Sequence, residues 1–432
     1  MMTLYNNPSR NQWASLAKRP ELELEYLGST VKNILARVKK SGDQALKDFA
    51  GQYDKVLLEN LQVSEKEFQN AITSLDPKLK VTIQMAFQNI YKFHYAQQTP
   101  FLEVETMPGV VCQRKAVAIE KVGIYIPGGS APLFSTVLML GVPAKIAGCR
   151  EIILCTPPSG NGEINPAILF TANLVGITKI FKVGGAQAIA AMTYGTDSIP
   201  SVNKIFGPGN QYVTKAKQLV AMEGMAIDMP AGPSEVLIFA DDQADPDFIS
   251  ADLLSQAEHG EDSQVVLVTT STSLPEKVNK AIELQLAQLP RKVIAEHSLR
   301  NSRCLVFGSV NESFEFINEY APEHLIINCA EAESKVDKVI NAGSIFLGAL
   351  TPEAAGDYAS GTNHTLPTNG FAKAYSGVSL SSFQKFITVQ EMSKEGLMRL
   401  GPVVETMAEA ENLIGHKNAI SIRLKKIHPD SE

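Results

Sequence analysis

Seven histidines occur among 432 residues, and their neighbours separate the ones able to do chemistry from the rest. Glu323 and His324 adjoin in Tyr-Ala-Pro-Glu-His-Leu-Ile-Ile, where Pro322 makes a turn before an apolar run that reads as a strand. A carboxylate beside an imidazole at a sheet edge suits general acid–base work; a loop pair with no shared role fits the same residues. Gln256 and His259 stand three apart in Ser255-Gln-Ala-Glu-His-Gly260, at the end of a helix that Asp245-Pro246 would cap. With Asp252 they form a polar stripe, while Ile249, Leu253 and Ala257 form an apolar one. That spacing lets an amide oxygen and an imidazole converge on one point. A plain polar face with a histidine near the helix dipole has the same pattern.

Asp357 and His364 lie in a glycine-flanked polar loop, Gly356 to His364. They read as a hard oxygen ligand and a proton-transfer group, or as a turn cap and an exposed histidine. Glu411 and His416, five apart, would not share a helix face, and a break at Gly415 is expected between them. His259, Asp357 and His416 would give zinc the nitrogen and oxygen ligands it takes, with Gln256 an unusual addition. No His-x-x-x-His pair marks such a site locally. His94, His297 and His428 have no suggestive neighbours and read as structural or exposed. The five cysteines include no C-x-x-C pair, which argues against a cysteine zinc site or a disulfide scaffold. A thiolate-dependent aldehyde oxidation competes with the Glu/His scheme, but no cysteine sits at an evident helix N-terminus where its pKa would fall.

The elements that must hold these residues show as a change of texture along the chain. Roughly the first hundred residues read as helical, with a stop at Gly42-Asp43, a capping box at Ser64-x-x-Glu67 and a cap with an N1 proline at Asp76-Pro77. From Val122 strands alternate with glycine loops and helices: 122–126, 151–155, 179–182 and 203–206, then 236–239, 264–268, 304–307, 325–327 and 344–347. This alternation predicts an α/β fold of two αβα units with parallel sheets, plus helical N- and C-terminal segments. The chain is expected to become helical after about Ser382. Ligands are expected beyond the carboxyl ends of the strands. Glycine-rich turns at Gly128-Gly129, Gly184-Gly185 and Gly207-Pro208-Gly209 would offer backbone N–H groups to an anion. Neither the Walker loop nor G-x-G-x-x-G is present, so the units are only incompletely Rossmann-like, and nucleotide binding and bare tight turns both stay open.

Composition narrows the classes. The hydrophobic fraction of 44% and charged fraction of 20% are those of a globular protein. A net charge of −7 carries no nucleic-acid footprint. No apolar run approaches the roughly 18 residues of a membrane span, and the N-terminus lacks the basic and apolar regions of a secretory signal. A cytoplasmic protein of two or three domains is the expectation.

Taken together, the segments resemble the histidinol dehydrogenase family. The likeness runs through VGIYIPGGSAPLFSTVLMLGVPAKIA (Val122–Ala147), VGGAQAIAA from Val183, IFGPGN to Asn210 and AIDMPAGPSEV from Ala226. It continues through DLLSQAEHG to Gly260, APEHLII from Ala321, AGDYASGTNHTLPT from Ala355 and the final Glu411–His416 segment. The resemblance implies a zinc- and NAD-dependent oxidation of L-histidinol to L-histidine, the last step of histidine biosynthesis. By that likeness Gln256, His259, Asp357 and His416 bind one zinc, and Tyr125, Gln187 and Asn210 contact NAD. Ser234, Glu411 and His324 hold substrate beside the metal and its ligands, and Glu323 and His324 carry the catalysis. A homodimer is implied, with His416 and Glu411 reaching the partner's site. The corresponding division is an N-terminal segment 1–24, a metal-bearing α/β domain from 25–120 and 236–380, an NAD-binding α/β domain 121–235, and a helical dimerisation tail 381–432.

Overall fold

The structure, a computed structural model, describes residues 2–20, 24–128, 132–230 and 232–427, with 24–26 as backbone alone. Gly129 of the first glycine turn, Ala231 and His428 lie outside the described residues. The chain forms two compact units, residues 1–97 with 119–383, and residues 98–118 with 384–432. No described helix is long and apolar enough to cross a membrane.

The chain starts with β1 (Thr3–Asn6), α1 (Arg10–Leu16), α2 (Leu24–Phe49), α3 (Glu65–Ser74) and α4 (Pro77–Tyr95). Ser64 and Glu67 form the expected capping box, and the Asp76 carboxylate accepts from the Leu79 N–H above a first-turn proline. The stop at Gly42 is a break inside α2, where φ is 48° and ψ −131°. β2 (Leu102–Met107) and β3 (Val110–Ala118) follow.

Next come β4 (Lys121–Tyr125), α5 (Phe134–Ala147), β5 (Glu151–Thr156), α6 (Pro166–Val175), β6 (Lys179–Lys182), α7 (Gly185–Tyr194), β7 (Lys204–Phe206), α8 (Gln211–Met222) and β8 (Ala226–Ile227). The five strands form a parallel sheet in the order β6-β5-β4-β7-β8. Successive side chains point to opposite faces. Val122 and Ile124 therefore pack with α3–α6, and Tyr125, Ile153 and Cys155 with α2, α7 and α8. Helices α2–α4 thus belong to this sheet. That corrects the grouping of 25–120 with 236–380. An amphipathic helix shows which of its faces is apolar but not which sheet that face will meet.

The remaining elements of the first unit are β9 (Glu235–Ala240), α9 (Pro246–Ala257), β10 (Gln264–Thr269), α10 (Leu274–Leu286), α11 (Lys292–Arg300), β11 (Arg303–Val306), α12 (Val310–Tyr320), β12 (His324–Asn328), β13 (Ser344–Leu347) and α13 (Glu353–Tyr358). With β1 they build a six-stranded parallel sheet in the order β1-β11-β10-β9-β12-β13. Val236, Ile238, Val265 and Leu267 face α9–α11, and Leu237, Phe239, Val266 and Val268 face α1 and α12. β9, β10 and β12 are buried on both faces, as a central parallel strand must be.

The second unit adds β14 (Gln384–Met392), α14 (Lys394–Ala410) and α15 (Ile414–Ile427). β14 pairs antiparallel with β3 along its whole length, and β2 lies on the other side of β3. A helix was expected directly after Ser382; the chain first makes this strand. Its partner is more than 260 positions away, and local periodicity carries no sign of it. This unit exposes Leu102, Val104, Phe386, Ile387, Val389, Val403, Met407 and Leu413.

Candidate functional site

Glu323 and His324 stand at the amino end of β12, beside Glu235 at the amino end of β9. The Glu235 N–H donates to Glu323 Oε2 at 2.8 Å, and His324 Nδ1 lies 3.0 Å from the Glu235 carbonyl oxygen. A carbonyl can only accept, so Nδ1 carries a proton, and whenever the ring is neutral its lone pair is at Nε2. Nε2 is 3.4 Å from Asp357 Oδ1, and Nδ1 is 3.6 Å from Glu323 Oε2.

Gln256, fully buried on the last turn of α9, reaches the same place. With its carbonyl toward the Glu235 N–H at 2.9 Å, its NH2 meets Glu353 Oε1 at 2.5 Å. Turned over, the amide oxygen faces that carboxylate, a meeting of two acceptors that needs a proton or a cation between them. His259 follows two residues past the end of α9 and is exposed. Glu353 and Asp357 are four apart on α13, so they share one helix face. The potential ligand atoms of His259, Glu353 and Asp357 lie within 4.8 Å of one another.

Charge follows from burial. Burial pushes the Glu323 carboxyl up to about 8, against the pull of His324 and the Glu235 N–H. Burial likewise lifts Glu353 to about 8. For His324 burial works to lower the pKa, but Glu323, Glu353 and Asp357 around it outweigh that and raise it well above the usual imidazole value. Burial would raise Asp357, yet His324 and then His364 and His259 hold it below the carboxylate range. His324 Nε2, Glu353 Oε2 and Asp357 Oδ1 are buried without a hydrogen-bond partner. Leaving one such atom unpaired costs about 1–3 kcal/mol and more when charged, so three together mark the place of a ligand. Their nitrogen and oxygen chemistry, with His259 and the Gln256 amide, fits a zinc-type cation.

The other expected residues separate. Ser234 directly precedes Glu235 and is half-buried, next to the cluster in sequence. His364 is fully bonded: Nδ1 to the Asp357 carbonyl at 2.8 Å and Nε2 to Thr136 Oγ1 at 3.0 Å. Tyr125, Gln187 and Asn210 lie at the carboxyl ends of the five-stranded sheet. The Gly185 N–H donates to Tyr125 Oη at 2.9 Å, Gln187 is buried in the first turn of α7, and Asn210 Oδ1 caps α8 by accepting from Tyr212 and Val213. Between them Gly207, at φ +126°, passes so close to β4 that a Cβ would fall 2.1 Å from the Tyr125 oxygen. Asp228 accepts from the Gly207 N–H at 2.8 Å, Lys217 donates to its carbonyl at 2.9 Å, and Lys217 and Asp228 form a buried ion pair.

Glu411 and His416 belong to the second unit, where both are exposed. The helix break between them falls at Asn412, with φ +59°, and Gly415 lies inside α15; asparagine takes the left-handed conformation readily enough to replace the expected glycine. His94 is buried and bonded to the Ile90 carbonyl, and His297 is half-buried near Glu261. Cys155 and Cys304 are buried, and burial raises their thiols, Cys304 to about 12, which keeps them protonated.

Two features went unread in the sequence. Glu353 had a signal, a Glu four residues before Asp357 and just after Pro352. The position of the cluster also had one, since Glu323-His324 was read just before a strand: it sits at the amino ends of the six-stranded sheet, where ligands were expected at the carboxyl ends. Glu323, His324 and Glu235 all start their strands, and Gln256 and His259 lie on the approach to β10.

The arrangement has counterparts. The family model described as histidinol dehydrogenase matches residues 17–424. A histidinol dehydrogenase of Bacteroides thetaiotaomicron is 58% identical over 99% of this chain and 100% of its own length. One of Photobacterium profundum is 51% identical over 98% of this chain and 96% of its own. The crystal structure of histidinol dehydrogenase from Elizabethkingia anophelis superposes with a TM-score of 0.96 at 54% identity, covering 99% of this chain and 98% of that one. A buried Glu/His pair at strand ends, a cation-ready acidic cluster and this whole-length likeness agree: the chain is an oxidoreductase belonging to the histidinol dehydrogenase family.

Proposed function

We propose that the protein oxidises L-histidinol to L-histidine through L-histidinaldehyde, consuming two NAD and one water and releasing two NADH. The observation that carries this reading is His324, whose Nδ1 is tied to the Glu235 carbonyl while Nε2 has no partner and Glu323 adjoins. His324 Nε2 takes the alcohol proton in the first oxidation. The hydride that leaves the carbinol carbon in each step would go to a bound NAD. Glu323 takes a proton from water as that water adds to the aldehyde carbonyl, whose oxygen takes back the proton His324 holds, giving the hydrate and freeing the imidazole. Burial that lifts Glu323 to about 8 makes it a stronger base than a solvated carboxylate. His324 then takes the hydrate's proton as the second oxidation yields the acid.

Gln256, His259 and Asp357 hold one zinc, with His416 from the neighbouring copy of the chain. A cation held there would supply a positive centre on which nitrogen ligands of the substrate could be oriented. Ser234 and Glu411 hold substrate beside the metal and its ligands, and Tyr125, Gln187 and Asn210 hold NAD. The exposed apolar residues of the second unit support a homodimer in which the site is shared, since a patch of that kind is an interaction surface. The reaction closes histidine biosynthesis in the cytoplasm.

The test is NADH absorbance with L-histidinol, with and without a chelator. Turnover that the chelator abolishes and zinc restores is expected; no NADH from L-histidinol would sink the reading. His259→Ala should lose zinc by metal analysis along with rate, and full zinc occupancy would remove His259 from the ligand set.

A further inference from the structure

The groups that orient Glu323 and His324 are the main-chain N–H and carbonyl of one residue, Glu235. Glu235 is paired on one side, with Gln264 of β10, whose N–H donates to the Ser234 carbonyl at 3.1 Å; on the side of β12 the ladder starts one residue later, at Val236 with His324, and leaves Glu235 unpaired there. The Glu235 side chain is fully buried, and its carboxylate is engaged on both oxygens. Arg19 Nε donates to Oε1 at 2.9 Å and Arg19 NH2 to Oε2 at 2.6 Å, and the Asn369 N–H also donates to Oε1.

Arg19 is itself anchored. Its guanidinium lies 3.6 Å from the centre of the Tyr320 ring, donates to the Ala17 carbonyl at 2.9 Å and reaches the Ala321 carbonyl at 3.4 Å. Ala321 has φ +52°, a left-handed conformation that a residue with a Cβ adopts only where its surroundings impose it, and it opens the turn that delivers Glu323. One side chain from the N-terminal segment therefore touches both strand starts that meet at the catalytic pair. A buried ion pair is rarely more stabilising than apolar residues of the same volume; what it offers is fixed geometry.

We propose that the Arg19–Glu235 pair is a positioning clamp: by holding the Glu235 main chain it keeps hydrogen on His324 Nδ1, leaves Nε2 facing the cluster and keeps Glu323 in place. The kinetic consequence rests on the oxidation proposed above; the effect on the imidazole does not.

The test uses the whole protein labelled with 15N-histidine, where nitrogen shifts report which ring nitrogen carries hydrogen. His324→Asn identifies the His324 signals by their loss. Arg19→Met/Glu235→Gln removes both charges at once, so no buried ion is left alone, and Arg19→Lys keeps the charge but not the two-pronged contact. The double variant is expected to lose the pattern of hydrogen held at Nδ1. Its kcat with L-histidinol should fall tenfold to about a hundredfold, with KM within about twofold, as for a misplaced reacting group. Arg19→Lys should recover part of both. Val278→Ala, which opens the same core away from the site, should lower the melting temperature without moving the His324 signals. A double variant that melts earlier but keeps the wild-type His324 pattern and kcat overturns the clamp and leaves Arg19 a structural residue. If the unsubstituted protein makes no NADH from L-histidinol, the proposed reaction fails, and the His324 spectra alone still decide the clamp: an unchanged pattern overturns it.

Discussion

At the carboxyl ends of the five-stranded sheet, Lys217 and Asp228 hold the Gly207 peptide, while Tyr125 and Asn210 engage the first N–H groups of α7 and α8. At the amino ends of the six-stranded sheet, the Arg19–Glu235 pair holds the main chain at residue 235 in a similar way, but the side chains around it are not at rest. Among the described residues the first place leaves only the Thr156 hydroxyl of β5 unpaired. The second leaves an imidazole nitrogen and two carboxylate oxygens. A neutral hydroxyl without a partner is a small cost, whereas ionisable atoms in that condition are a large one. The first place is organised by backbone, and the second, the proposed reaction centre, by side chains. In both, the buried ion pair serves the backbone behind the site.

That contrast can be broken at either end. The largest effect is expected from His324→Asn, which removes the proposed proton acceptor: oxidation of L-histidinol should slow by about 10²–10⁴-fold. Glu323→Gln should slow oxidation of the aldehyde more than that of the alcohol, followed as NADH from each substrate. Equal slowing would place water activation on another group.

Lys217→Met should cost about 3–5 kcal/mol in urea unfolding, because it strands the buried Asp228 carboxylate, and Lys217→Met/Asp228→Asn should recover most of it. If the double variant is no better than the single one, charge pairing is not what holds the Gly207 turn. Gly207→Ala puts a Cβ onto the Tyr125 carbonyl at a positive φ and should cost on the order of 1–3 kcal/mol. NAD affinity should fall with it while zinc content stays; loss of zinc would mean that the two sheet ends are not independent.

The smallest effect is at Glu67, away from both places. Burial works to raise its carboxyl, but bonds from Lys182 and Ser64 outweigh that and hold it below the ordinary range. A depressed carboxylate stabilises above its unfolded pKa, and that contribution is lost as pH falls through the folded one. Glu67→Gln should therefore be less stable than wild type by about 0.5–1.5 kcal/mol at neutral pH, a gap that closes on acidification. A gap that widens in acid would contradict the sign.

Much of the fold was legible because its signals are local. The β6 and β13 boundaries follow from short apolar runs between turn residues, and the Ser64 and Asp76 caps from side chains that bond within three residues. What escaped depends on distant partners. β1 is a strand only because β11 lies beside it, and β14 only because β3 does. Helices α2–α4 give no sign of which sheet their apolar faces will meet. Within the site, Gln256, His259, Glu323, His324 and Asp357 could be singled out by residue type and spacing. Glu235 and Arg19 could not, since a lone Glu before a strand and a lone Arg in a charged segment are ordinary until folding buries them against each other, 216 positions apart.

The pairing of Thr3–Asn6 with Arg303–Val306 has a consequence for synthesis. The first strand leaves the ribosome some 300 residues before its neighbour, which at about 5–20 residues per second is on the order of 15–60 seconds. By then every strand of the five-stranded sheet has been made, so that half of the molecule is free to assemble while the other half waits for its edge. A long apolar strand left open for that time would invite other nascent chains, but this one is four residues long and ends in asparagine. Its shortness suits an element that must be made first and used late.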